Sequence, residues 1–269
     1  MSWSDFSLNF GPRTFIMGIL NLTPDSFSDG GDFTLLENAL KHASKMIDQG
    51  ADIIDVGGES TRPGAEIVSE QVEIDRVVPF IKEYSSRFST PLSLDTSKST
   101  VGLAGLEAGA NMINDVWGFQ KDPKLANVTA DFKVPAVLMH NQIGTEYSGD
   151  IINSIKWFFD RSLEIAFKAG ISEDLIILDP GIGFGKTQLQ NREVLARLGE
   201  LNSLGFPLLL GTSRKSIIGT ILDLPPKDRL EGTLATSTMG IISGVDILRV
   251  HDVLENKRVA LVTDEIIRS

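Results

Sequence analysis

A short apolar run followed by a longer amphipathic stretch recurs eight times along this chain, and a repeat of that kind leaves few folds open. The apolar runs are Phe15 to Leu20, Ile53 to Val56, Leu92 to Leu94, Met112 to Ile113, Ala136 to Met139, Leu175 to Leu178, Leu208 to Leu210 and Ile247 to Val250. Between them apolar residues recur at three and four, as in Leu36 to Ile47, Val72 to Tyr84, Ile151 to Ala169 and Glu193 to Leu204. Gly50, Gly109, Gly170 and Gly205 stand where such helices should stop, since glycine takes the left-handed backbone that ends a helix. Continuous apolar strands alternating with helices belong to a parallel sheet covered by helices. Eight units without a linker or a shift in composition predict a single-domain α/β protein, a (β/α)8 TIM barrel occupying residues 1–269. An open doubly wound sheet is the alternative, and eight units are many for it.

In such a barrel the chemistry sits at the carboxyl ends of the strands, so the residues after each apolar run are the informative ones. In order they are Asn21, Gly57-Gly58-Glu59-Ser60-Thr61-Arg62, Asp95, Asn114-Asp115, His140, Asp179, Thr212-Ser213-Arg214-Lys215 and His251. Taken singly, a polar residue there is usually a helix cap or a turn former, and Asp115, Thr96, Asn141 and Asp252 are read as caps or as residues that support the site from behind. Taken together, eight polar strand tops facing one mouth describe a binding site. Asp95, Asn114 and Asp179 would be held away from water, where a carboxylate needs a hydrogen-bonding partner and the N–H edge of a flat heterocycle can be that partner. Asp179 can accept two parallel N–H bonds, Asn114 can donate and accept, and Lys215 can donate to a ring carbonyl. Pairing of Asp95 and Asp179 with barrel arginines or lysines is the competing reading.

The chain carries 36 acidic against 25 basic side chains, a net charge of −11, which repels a nucleic-acid backbone and argues against a polynucleotide partner. Against that background Arg62, Arg214, Lys215, Arg249 and His251 reverse the sign at the mouth and point to an anionic ligand. Barrels often hold phosphate at the loops after strands seven and eight, which here carry Ser213, Lys215 and His251, so a diphosphate fits. The alternative is that Arg214 and Arg249 pair with acidic neighbours. The long glycine-rich stretches 23–31 and 57–65 read as lids or binding loops. The stretch from Asp179 to Thr187 resembles a phosphate-cradling loop at its end but lacks the full spacing, and reads as a loop shaped for close approach. Absence of cysteine excludes thiol chemistry and thiolate metal sites. No run approaches the roughly 20 apolar residues of a membrane span, and Met1 to Phe10 lacks the pattern of a leader, so a cytoplasmic location is expected.

The stretches from Met17 to Gly31, from Gly50 to Gly64, Leu94-Asp95-Thr96, Ile113-Asn114-Asp115, from Leu178 to Lys186 and from Gly211 to Lys215 resemble the dihydropteroate synthase family. The resemblance runs from about Phe15 to His251. It implies a transferase of folate biosynthesis that joins p-aminobenzoate to 6-hydroxymethyl-7,8-dihydropterin diphosphate, with Mg2+ as cofactor near Asn21. By that resemblance Asp95, Asn114, Asp179 and Lys215 hold the pterin ring, and Asn21, Arg249 and His251 hold the diphosphate. Thr61, Arg62, Pro63, Phe184, Lys215 and Ser213 frame the p-aminobenzoate pocket that the family's sulfonamide inhibitors share. It also suggests a homodimer formed through outer helices.

The implied chemistry is a largely dissociative displacement: a neutralised diphosphate leaves, the electron-rich dihydropterin carries the positive charge on its methylene, and the amine traps it. Asp25 is a candidate to stabilise that cation and Phe27 to exclude water; with Lys215 and Arg249 they make up the candidate catalytic set. An arylamine is unprotonated at neutral pH, so no strong base is needed, in keeping with the lack of a Ser/His/Asp or Cys/His constellation. One departure stands out. After His140 the family commonly shows a Met-Gln-Gly type of segment, whereas here the sequence runs from Asn141 through Gln142 to Tyr147, which leaves the fifth loop and His140 without an assigned role. Two rivals are a pterin-binding methyltransferase module, which needs neither Thr61-Arg62-Pro63 nor a cationic end, and a catalytically silent pterin-binding barrel, which needs no intact Asn21, Lys215 and His251.

Overall fold

All eight apolar runs form strands of one parallel sheet. The computed structural model describes residues 1–22, 32–59 and 68–268, the side chains of 32–34 excepted. A small antiparallel hairpin, β1 (Ser2–Trp3) and β2 (Phe6–Ser7), comes first. The barrel strands are β3 (Phe15–Asn21), β4 (Ile53–Gly57), β5 (Leu92–Asp95), β6 (Met112–Asp115), β7 (Ala136–Met139), β8 (Ile176–Asp179), β9 (Leu209–Leu210) and β10 (Ile247–Val250). Their order is β8-β7-β6-β5-β4-β3-β10-β9. An isolated parallel bridge between Leu178 and Leu208 then joins β8 to β9 and closes the ring. Every other neighbouring pair shares at least two registered residues.

The covering helices are α1 (Asp32–Asp48), α2 (Glu70–Arg87), α3 (Ser99–Ala108), α4 (Lys124–Phe132), α5 (Ile151–Ala169), α6 (Gln188–Ala196), α7 (Ser216–Leu222), α8 (Leu230–Ile242) and α9 (Val253–Ile267). They bury the outer faces of strands whose inner faces already fill the barrel, so the strands carry almost no solvent-exposed surface. Gly50, Gly109, Gly170 and Gly205 all adopt the positive φ expected of helix stops. The hairpin brings Trp3 and Leu8 into the core and packs against the 3-10 turn Glu173–Leu175 that leads into β8. The segment from Met1 to Phe10 is thus part of the folded body.

The boundaries differ from the sequence reading in a consistent direction. Asn21, Asp95, Asn114, Asp115 and Asp179 are the final residues of their strands and not the first residues beyond them. Leu175 belongs to the preceding 3-10 turn, not to the sixth barrel strand, and Leu208 contributes only the closing bridge. The helix expected over Glu193 to Leu204 is instead the end of α6 followed by a 3-10 segment, Leu198–Leu204. Arg197 sits at that break, holding Asp150, Glu193 and Glu200 at 2.6 to 3.0 Å.

Candidate active site

Placing the polar residues inside the strands fixes their backbones by the ladder itself. Asn21 is registered with Gly57, Gly57 with Asp95, and Asp95 with Asn114, so one level of the barrel rim carries an amide, a carboxylate and a second amide. Arg249 enters that level from β10. Its Nε donates to Asp55 Oδ2 at 2.6 Å and its Nη2 to Asp95 Oδ2 at 2.8 Å, while Asn114 Nδ2 donates to the same Asp55 oxygen at 3.0 Å. Burial raises the Asp95 carboxyl well above its ordinary range, with Arg249 acting in the opposite direction and Asp55 adding to the rise. Burial also works against the charge on Arg249, and Asp55 and Asp95 more than restore it.

Asp55 was missed by the sequence reading, although it ties the floor together. The available signal was an ionisable residue between Ile54 and Val56 in a strand buried on both faces. The acid-base pairing weighed as an alternative for Asp95 is therefore realised, yet only through one oxygen. Asp95 Oδ1 and Asp55 Oδ1 are buried with no hydrogen-bond partner among the described residues.

Asp179 and Lys215 close the opposite side. Asp179 Oδ1 accepts from Gly181 N at 2.7 Å; burial raises this carboxyl and the Lys215 charge opposes the rise. Burial pulls Lys215 down to about 8, against the attraction of Asp179. Lys215 Nζ donates to Ile182 O at 2.6 Å and lies 4.8 Å above the centre of the Phe184 ring. A Cβ on Gly211 would lie 3.7 Å from Lys215 Nζ and 3.9 Å from Asp179 Oδ2, so both groups face the bare backbone of β9's end. Ser213 Oγ accepts from His251 N at 3.1 Å and lies 3.0 Å from His251 Nδ1, joining the loops after β9 and β10.

Arg214 does not join this set. Its guanidinium grips both carboxylate oxygens of Asp252, with Nε to Oδ2 at 2.9 Å, and since Arg249 is held by Asp55 and Asp95 the alternative of pairing with acidic neighbours is realised for both arginines. Asp252 and Asp115 take supporting roles as read. Asp115 accepts from Ser97 Oγ, Trp117 N and Phe119 N at 2.5 to 2.9 Å and shapes the turn after β6. Asp25, Phe27, Thr61, Arg62 and Pro63 lie outside the described residues. The two ends of the second long loop are nonetheless pinned, because Lys98 Nζ donates to Glu59, Glu73 and Val68 O at 2.7 to 2.8 Å. Among the described residues no group of three His, Cys, Asp or Glu is arranged to hold a metal ion.

A second buried cation was also missed. Lys186 Nζ lies 2.8 Å from His140 Nδ1 and donates to Gly181 O and Phe184 O at 3.0 and 3.1 Å. Burial pulls Lys186 down to about 7 despite the attraction of Asp179. Burial first, and then the Lys186 charge, push His140 down to about 2, so its ring is neutral and its Nδ1 accepts.

A closed parallel barrel with carboxylates, an amide and a lysine buried at its strand ends has the architecture of the barrel enzymes, whose sites lie at that end. The family model "Pterin binding enzyme" matches residues 17–251. The chain is 56% identical to dihydropteroate synthase of Clostridium beijerinckii over 264 residues, 97% of each chain. Its structure is similar to that of dihydropteroate synthase from Clostridium difficile in the presence of pteroic acid, with TM-score 0.96 and 54% identity over 98% of this chain and 100% of the other. It is similar also to the Yersinia pestis dihydropteroate synthase in a sulfonamide drug complex, with TM-score 0.93 and 41% identity over 100% and 99%. The chain belongs to the pterin-binding enzyme family and, within it, to the dihydropteroate synthases, transferases of folate biosynthesis.

Proposed function

We propose that the chain joins p-aminobenzoate to 6-hydroxymethyl-7,8-dihydropterin diphosphate, forming 7,8-dihydropteroate and diphosphate, by a largely dissociative displacement at the pterin methylene carbon. Asp95, Asn114, Asp179 and Lys215 hold the ring. The observation that carries this reading is the buried, unpartnered Asp95 Oδ1 beside Asn114. A buried acceptor left unsatisfied costs about 1–3 kcal/mol, and a ring N–H removes that cost, so the site prefers a donor-bearing ring edge over a ring without one. Lys215 donates to the ring carbonyl from the other side.

Arg249 and His251, with Asn21, face the diphosphate. Asn21 would hold Mg2+, since its amide oxygen at the end of β3 is a hard neutral donor of the kind that ion takes. When bound, Mg2+ supplies charge neutralisation on the leaving group. Ser213 steadies His251, and Arg249 holds its charge against the departing anion. Asp25 stabilises the cationic methylene and Phe27 keeps water from it, while Thr61, Arg62, Pro63, Phe184, Ser213 and Lys215 frame the amine. Diphosphate release by the purified chain with the dihydropterin diphosphate and Mg2+, measured with and without p-aminobenzoate, tests the reading. Release stimulated by the amine, with dihydropteroate as product, is expected. Pterin binding without that product would overturn the synthase reading.

In this reading residues 1–269 act as one barrel domain in the cytoplasm, and the functional unit is a homodimer. No helix of the described residues is long and apolar enough to cross a membrane. Support for a second copy comes from the apolar side chains exposed on three outer helices: Ile221 of α7, Met239 and Ile242 of α8, and Leu261, Val262 and Ile266 of α9. Light scattering should give twice the 29.3 kDa chain mass; the monomer mass would remove the proposal.

A further inference from the structure

The segment after β7 lies against the loop that carries Phe184. His140 N donates to Asp179 O at 2.9 Å, extending the β7–β8 ladder by one bond. Beyond it the two loops meet backbone to backbone. A Cβ on Gly181 would stand 1.9 Å from His140 O, and one on Gly185 would stand 2.6 to 3.0 Å from the side chain and backbone of Gln142. Both glycines also hold positive φ, +68° and +56°, so only glycine meets both demands.

Four side chains fasten the contact, the longest bond being that of Gln142 Nε2 to Gly185 O at 3.4 Å. Tyr147 Oη donates to Gly185 O at 2.9 Å. Gln190 Nε2 donates to Thr145 O at 2.9 Å. Lys186 reaches back through the interface, spending its ammonium on His140 Nδ1 and on the carbonyls of Gly181 and Phe184. Every hydrogen-bond partner is neutral, and although Asp179 attracts the lysine through space, the bonds themselves tie the turn from Gly181 to Phe184 into one shape. That turn presents the Ile182 carbonyl to Lys215 and the Phe184 ring beneath the Lys215 ammonium.

We infer that His140, Tyr147 and Lys186 form a brace that sets the position of Phe184 and, through the Ile182 carbonyl, of Lys215, and so are positioning residues that act on the amine substrate more than on the pterin. This rests on the reading of Phe184 as a wall of the p-aminobenzoate pocket. Of the pterin-holding groups Asp95 and Asn114 are fixed by their own strands, while Asp179 and Lys215 touch the braced turn through Gly181 and Ile182, so loss of the brace should weaken the amine more than the pterin.

The test compares the full chain with Tyr147→Phe, His140→Leu, His140→Asn, Lys186→Met and Phe184→Ala, measuring KM for each substrate, kcat, and hydrogen exchange over residues 180–187. Tyr147→Phe removes one hydroxyl and leaves the ring, so it tests the brace even if Lys186→Met fails to fold. Loss of one hydrogen bond should raise KM for p-aminobenzoate roughly 2- to 10-fold, and KM for the pterin by less. His140→Leu should exceed that, and His140→Asn, which keeps an acceptor near Nδ1, should recover part of it. Exchange over 180–187 should quicken in the same order. Unchanged exchange in His140→Leu would overturn the brace. Quickened exchange with an unchanged amine KM, while Phe184→Ala raises that KM, would overturn its role toward the amine. If Phe184→Ala itself leaves the amine KM unchanged while exchange still quickens, the brace stands and the reading of the amine pocket falls.

Discussion

Two parts of the mouth bury charge and settle it in different ways. At the floor Arg249 meets Asp55 and Asp95, charge against charge, and each carboxylate keeps one buried oxygen without a hydrogen bond among the described residues. Along the wall Lys186 is held by a neutral imidazole and two carbonyls, and its ammonium is spent within the protein. The floor is therefore arranged to recognise, the wall to hold a shape. Burial of a cation does not by itself mark a ligand contact; the chemistry of its partners does.

The comparison breaks most readily at Arg249. Arg249→Met leaves two buried carboxylates without their countercharge, a situation that costs about 3–5 kcal/mol, to be read from urea unfolding at neutral pH. A loss below about 1 kcal/mol would mean that the floor is not held by this pairing. Asp179→Asn should come next: exchange of a charge-assisted acceptor for an amide is worth about 1.5–3 kcal/mol, or roughly 10- to 150-fold in pterin affinity by calorimetry.

A pH titration sharpens the same contrast. With Lys215 near 8, its donor charge is lost as pH rises through that value, and kcat/KM for the pterin should fall about tenfold per unit beyond it. Stability moves the other way. The unfolded lysine keeps its proton up to 10.5, so between about 8 and 10.5 the unfolded state binds more protons and the burial penalty on Lys215 is progressively relieved. Urea unfolding of Lys215→Met should show that this gain with pH is absent. The smallest expected effect is Ser213→Ala, which removes one hydroxyl from His251 and should weaken diphosphate inhibition only about 2- to 10-fold.

What could be read from the chain follows from how locally each feature is specified. Asn21, Asp95, Asn114 and Asp179 were legible because each ends an apolar run, and the fold places run ends at one mouth. Asp55 lies inside such a run, where a period-two count assigns it to the strand and hides its charge. The grip of Arg214 on Asp252 depends on which way two neighbouring loops turn, information that no spacing carries. His140 and Lys186 are 46 residues apart and meet only because β7 and β8 are neighbours. The break of the expected helix at Arg197 likewise depends on Asp150, from a different unit of the barrel.

The ring closes at one place by a single bridge, between Leu178 and Leu208. A hoop fastened by one rivet has a preferred place to spring. Parting there separates Asp179 from the segment carrying Lys215, while Asp95, Asn114 and Arg249 stay joined through the unbroken run of strands from β6 round to β10. Warming should therefore unseat the ring's lysine side before the barrel as a whole is lost. The hairpin at the start of the chain packs against the turn that leads into β8, at the foot of that joint.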